Sequence, residues 1–159
     1  MGGLLSQPFE SILELGLTEL IGKDEAVAQN QYSASVGVSL PQARTSGEIL
    51  QVTLVSRGGD ILEPDGVLLV LDADPDVDAA DTALAEAARQ TVIAQILVET
   101  TDWQADANGA SATIFVQPAA FHALSTLYFV WFQELATGYN SAAGDDEYLE
   151  FNAWIRRDS

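Results

Sequence analysis

The chain has no cysteine and only one lysine, one histidine and one methionine among its 159 residues. Without cysteine, disulfides, thiolate zinc sites and cysteine nucleophiles are excluded, and stability has to come from an apolar core. A single histidine, His122, excludes multi-histidine metal centres and most catalytic triads. Basic side chains are scarce too. Six Lys and Arg stand against 24 Asp and Glu, a formal net charge of −18. Such a surface repels phosphate backbones and anionic lipid, and the one adjacent basic pair, Arg156-Arg157, abuts Asp158. Neither nucleic acid nor membrane is an expected partner.

Long apolar runs are missing as well. The start, MGGLLSQPFESILELG, has no basic region and is interrupted by Pro8, Glu10 and Glu14. The longest candidate, LSTLYFVWF (124–132), is about half of the roughly 20 residues a spanning helix needs. A soluble protein is expected.

What the chain does have is a 48% hydrophobic composition cut into short pieces by turn residues: Pro41, Gly47, Gly58-Gly59, Pro64 with Gly66, Pro75, Asn108-Gly109, Pro118, Gly138 and Gly144. A chain of this length fits one domain that buries roughly 70% of its unfolded surface. QYSASVGVS (31–39) places Tyr32, Ala34, Val36 and Val38 on one face, and GEILQVTLVSR (47–57) sets Leu50, Val52 and Leu54 against Gln51 and Thr53. That period of two is the mark of a half-buried strand. GVLLVLD (66–72) is apolar throughout, as in a strand covered on both faces. TVIAQILVETT (91–101), ASATIFVQ (110–117), LSTLYFVWFQEL (124–135) and EYLEFNAWIRR (147–157) supply further strands.

One short helical stretch interrupts them, near residues 78–89, rich in alanine, with Asp78 or Asp81 placed to cap its first turn. FESILELGLTELIG (9–22) fits both periods, with the extended reading favoured. The expected fold is all-β: an antiparallel two-sheet β-sandwich, in jelly-roll form, with an immunoglobulin-like sandwich as its nearest rival. Residues 1–30 read as an N-terminal arm or edge segment and residues 31–159 as a single β-sandwich domain.

The densest acidic feature is LVLDADPDVDAAD (69–81), a strand running into Asp72, Asp74, Asp76, Asp78 and Asp81. Calcium takes six to eight oxygen ligands, and the helix-loop-helix calcium loop needs glycine at position six and glutamate at position twelve. With Asp72 as position one these are Val77 and Ala83, and with Asp74 they are Ala79 and Ala85. The ladder therefore reads as a strand exit with Asp76, Asp78 or Asp81 capping the helix, and an irregular calcium site is the alternative. GDDEYLE, with Asp145, Asp146 and Glu147, reads as a solvated turn. His122, in FHAL, reads as a packed or hydrogen-bonded structural histidine.

No G-x-S-x-G elbow, Walker loop or dinucleotide fingerprint occurs. Of the three tryptophans, Trp131 is expected in the core, Trp154 on the outer face with Tyr148, and Trp103 in a hairpin connection as the best candidate for a sugar or subunit contact. No catalytic, cofactor-binding or metal-ligating residue is assigned.

Read together, GEILQVTLVSRGGDILEPDG, GVLLVLDADPDVDAADTALAEAARQTVIAQI, DWQADANGASATIFVQP and FHALSTLYFVWF resemble, in segment order, the small head-associated proteins of tailed bacteriophages, over roughly residues 45–159. The resemblance implies a capsid decoration, or cement, protein. Such a protein is made in the bacterial host cytoplasm and sits on the capsid exterior of the virion, where it binds the major capsid protein, typically as a homotrimer at three-fold positions, without cofactor. MGGLLSQPF, with Leu4, Leu5 and Phe9, reads as an arm that orders against a partner. A non-enzymatic structural virion protein is the expectation. A carbohydrate- or calcium-dependent binding module is the alternative.

Overall fold

The computed structural model describes residues 12–42, 44–58, 63–134, 138–140 and 146–158. In chain order these form β1 (Ile12–Glu14), β2 (Thr18–Ile21), β3 (Val36–Ser39), β4 (Thr45–Arg57), β5 (Gly66–Leu71), α1 (Glu86–Arg89), β6 (Val92–Val98), β7 (Trp103–Asp106), β8 (Gly109–Leu124), β9 (Thr126–Gln133) and β10 (Tyr148–Arg157). One sheet runs β1-β10-β4-β8-β7, with β2 also on β10, and the other runs β3-β9-β5-β6.

The pairing is nested: β5 with β6, β4 with β8, β3 with β9 and β2 with β10, all antiparallel. That is a long antiparallel ribbon rolled so that β2-β10-β4-β8 lies in one layer and β3-β9-β5-β6 in the other, the order of an eight-stranded jelly roll. An immunoglobulin-like sandwich keeps its first two strands in one sheet, whereas β2 and β3 here lie in different layers. The expected all-β jelly roll is thus the observed fold. Residues 12–14 and 18–21, equivocal between helix and strand, are edge strands on β10.

The core fills the space between the layers. Leu54, Leu149, Phe151 and Ile155 from the first sheet meet Leu68, Val70, Leu127, Phe129 and Trp131 from the second, all buried. The Phe129 and Phe151 rings pack across the layers with centroids 4.4 Å apart. Each such side chain contributes about 1.5–3 kcal/mol on burial, so the interior is occupied rather than hollow. Gly66 fits where no other residue could: a Cβ there would lie 2.3 Å from the Trp131 ring and 2.5 Å from the Phe132 carbonyl oxygen.

Two expectations about detail are corrected. Leu50 does not join Val52 and Leu54 in the core, because it has no partner in either neighbouring ladder and acts as a bulge. The register slips there, and Ile49 becomes the buried residue. The helix is also shorter than the alanine-rich stretch suggests, four residues preceded by Ala85, with no side-chain cap. Asp81 cannot cap it, since its backbone pairs with Tyr32 and its carboxylate accepts from Ala83 N. Leu84 and Ala88 instead pack on Leu69, Leu71 and Val130, covering the outer face of the second sheet. This cover explains why β5 is apolar on both faces.

Candidate functional site

The aspartates after β5 bond within the protein. Asp72 N donates to Thr91 O at 3.0 Å, and Asp74 Oδ1 accepts from Asp76 N at 2.8 Å, bending the chain where Asp76 takes a left-handed φ of 56°. The Asp74 bond is of the side-chain-to-backbone kind by which aspartate shapes a turn. Among the described residues no three Asp, Glu or His side chains are grouped to hold a metal ion.

His122 is exposed on β8, with Nδ1 3.2 Å from Ser46 Oγ. The same hydroxyl accepts from Ala123 N at 2.9 Å, so it serves the left-handed turn at Ala123, φ 51°. The histidine is hydrogen-bonded, as expected, but lies on the surface rather than packed. Arg44, Arg157 and Asp158 line the same shallow recess.

Two of the three tryptophans lie where expected and the third does not. Trp131 is fully buried and donates from Nε1 to Gln133 Oε1 at 2.7 Å. Trp154 is half-buried on the outer face. Trp103, the candidate ligand contact, is buried instead, its Nε1 donating to Pro64 O at 2.9 Å. Placing the indole at the start of β7, against Ala112 of β8, seals that end of the sandwich.

Glu147 is a second correction. GDDEYLE reads as a solvated turn; Asp145 lies outside the described residues and Asp146 is exposed, but Glu147 is buried. Its Oε2 accepts from Asn140 N at 2.6 Å, and its own N donates to Asn140 Oδ1 at 2.9 Å. Asn140 Nδ2 reaches the carbonyl oxygens of Gly22, Glu25 and Glu147. Three chain segments are thereby tied at one point. Nothing in the local sequence marks this use of Asn140 and Glu147, which are brought together by the fold.

A surface hollow of about 870 Å³ lies among Lys23, Arg57, Asp106, Asn108, Asp146 and Tyr148. Its aromatic face is already taken, because Lys23 Nζ sits 5.1 Å above the Tyr148 ring. Arg57 faces Glu150 at 3.9 Å. Tyr148 is the one aromatic side chain among the described residues that line this hollow, and the Lys23 ammonium lies over its ring.

Apolar side chains reach solvent at the two lateral edges of the sandwich. Ile12 (50% exposed) and Leu17 (52%) lie on and beside β1 at one edge, and Leu97 (54%) on β6 and Phe115 (81%) on β8 lie at the other. The second edge is grooved, about 480 Å³, between β6 and β8. A bulge makes it: Ile49 pairs with Ala119 and Gln51 with Phe115, so Val116, Gln117 and Pro118 stand opposite the single residue Leu50. β7 covers only the first residues of β8, up to Ala112, and β6 pairs with β5 alone.

No family model matches the chain, and no curated protein matches it in sequence. Among solved structures it is similar to a chain of the Israel acute paralysis virus pentamer, at 12% identity over 100% of this chain and 94% of that one, with a TM-score of 0.40. It is also similar to a chain of the native virion of Kashmir bee virus at neutral pH (8% identity, 93% and 70% covered, TM-score 0.37). A chain of Cocksfoot mottle virus matches at 9% identity, with 94% and 86% covered and a TM-score of 0.31. Likeness of this size adds nothing to the topology read from the strand pairing.

Proposed function

We propose that the protein is a non-enzymatic structural component of a virus particle. Within that class we assign it to the decoration, or cement, proteins, which bind the outside of a tailed-phage head and fasten neighbouring major capsid subunits. The observation that carries the reading is where the jelly roll keeps its reactive surface: a filled interior, and large apolar side chains at the lateral rims. A fold alone does not name a function, but it limits where partners can bind. Here contact would run through rims, as in an assembly subunit whose interface core is apolar and charge-depleted.

The anionic surface suits the same role. A chain of net charge −18 does not adhere to the genome packaged beneath the shell and stays dispersed until it docks. Its carboxylates would meet basic patches on the major capsid protein. The resemblance to phage head-associated proteins supplies the finer assignment, including the virion exterior, the bacterial host and a homotrimer.

The test is occupancy on purified particles. Quantitative mass spectrometry of gradient-purified virions should find the chain at a copy number near that of the major capsid protein, released by mild denaturant before the shell itself opens. Absence from virions, or a glycan-binding signal from the isolated protein with a rise in melting temperature on added calcium, would replace this reading with the carbohydrate- or calcium-dependent module.

A further inference from the structure

We propose that copies of this chain associate head to tail, the β1–β2 edge of one copy seating in the β6/β8 groove of the next, to form a closed ring. The proposal deepens the self-association in the reading above and rests on that part of it. It is independent of any shell.

The first support is charge. With 30 charged side chains on 159 residues, two copies can meet only where carboxylates do not face each other. All eleven residues lining the groove are uncharged. No Asp, Glu, Lys or Arg occurs between Asp106 and Glu134, or between Arg89 and Glu99. At the opposite edge, β1 and β2 carry two exposed acids, Glu14, whose carboxylate accepts from Asn152 Nδ2, and Glu19. The groove is thus a gap in an otherwise anionic surface, one that the exposed Ile12 and Leu17 of a second copy can enter.

The second support is the polarity of the arrangement. Ile12 and Leu17 lie at one lateral edge and Leu97 and Phe115 at the other, with the whole width of the sheet between them. A two-fold dimer would bury one of these patches against itself and leave the other in water. A head-to-tail contact buries both at every interface, and repeating it by rotation gives a ring.

The third support is the strand edge. Natural sheets guard long edges with charge, especially lysine. Val92–Val98 carries none, and β8 has only Pro118 inside its bulge. β1 likewise pairs only with β10. Edges on both rims can therefore add backbone hydrogen bonds between copies, with Phe115 as the anchor side chain.

The experiment uses the full chain, free of particles. Sedimentation equilibrium should give a discrete species of three or more times the 17.0 kDa chain mass. The double variants Leu97→Glu/Phe115→Glu and Ile12→Glu/Leu17→Glu should each run at one chain mass, with unchanged near-ultraviolet circular dichroism and melting temperature. Gln95→Glu, which charges the groove without removing an apolar atom, should also dissociate the ring. Mixing the two double variants should restore one intact interface and give a 1:1 dimer, since each keeps the face the other lacks. Wild-type protein that is monomeric or dimeric would overturn the proposal. So would retention of the wild-type mass by either double variant, or a mixture that stays monomeric. A wild-type monomer whose Phe115→Glu form no longer decorates shells would instead assign the groove to the capsid protein, leaving the virion reading intact.

Discussion

Tyr139 Oη lies 3.0 Å from Ser56 Oγ, both residues fully buried between the layers. The pair hydrogen-bonds the segment before β10 to the end of β4. Burial pushes the Tyr139 phenol above the ordinary tyrosine range; the bond to Ser56 opposes this and the nearby Glu147 carboxylate adds to it.

Tyr139→Phe should destabilise the fold at neutral pH by about 1–3 kcal/mol, because it leaves the Ser56 hydroxyl buried without that partner. The alkaline behaviour is more diagnostic. Above about pH 10 an unfolded tyrosine releases its proton while the folded Tyr139 retains it, so the folded state binds more protons and stability falls by up to about 1.4 kcal/mol per pH unit. The phenylalanine variant lacks that contribution. Urea midpoints at neutral pH and near pH 11 should therefore show the gap between wild type and variant narrowing as pH rises. A constant gap would mean that the phenol ionises freely in the folded state.

Asn140 makes the second prediction. Its side chain reaches three carbonyl oxygens and accepts from Glu147 N, while its backbone holds a left-handed φ of 52°. Asn140→Ala loses the side-chain bonds and places a Cβ-bearing residue without a compensating polar group in a conformation favoured by glycine and asparagine. The expected loss is about 2–4 kcal/mol, or very roughly 4–16 °C in melting temperature for a chain of this length. Asn140→Gly keeps the backbone relaxed and isolates the side-chain share, so it should recover part of the loss. Equal losses would locate the whole effect in the hydrogen bonds.

Gly66→Ala tests packing. The added methyl would overlap the Trp131 ring and the Phe132 carbonyl at the first pair of the β9–β5 ladder. Neither can retreat, since Trp131 is held by Ser33 Oγ at its N and by Gln133 at Nε1. Overpacking of this kind costs about 1–3 kcal/mol, occasionally more, and should shift the tryptophan near-ultraviolet signal along with the melting temperature. A silent substitution would show that β5 can move outward against Leu84 and Ala88.

The fold was legible in the sequence because alternation and turn residues are local signals, and each strand carries its own. What the sequence hid depends on register. Leu50 reads as a core position by period two, and only the slip against both β10 and β8 shows that Ile49 takes its place. Trp103 reads as a contact residue because it falls in a hairpin connection, but its indole donates to Pro64 O, which lies 39 residues away in the chain. Glu147 sits in an acidic run and differs from Asp146 only in what the fold brings to it, Asn140. The groove is hidden for the same reason. ASATIFVQ reads as an ordinary strand, whereas the bulge at residues 116–118 leaves Phe115 in solvent beside Leu97, from a strand that belongs to the other sheet.

Salt should separate an uncharged interface from an ion-paired one. Copies that each carry a net charge of −18 repel at long range, while the groove proposed as the receiving face is lined by uncharged residues alone. Raising ionic strength from about 0.05 M to about 0.5 M shortens the screening length from roughly 14 Å to roughly 4 Å. The repulsion weakens and nothing attractive is lost, so self-association should strengthen with added sodium chloride. An interface held by carboxylates against Arg44, Arg156 or Arg157 would weaken over the same range. Sedimentation at both ionic strengths measures the sign directly, and dissociation at high salt would show that copies meet through these arginines rather than through Phe115 and Ile12.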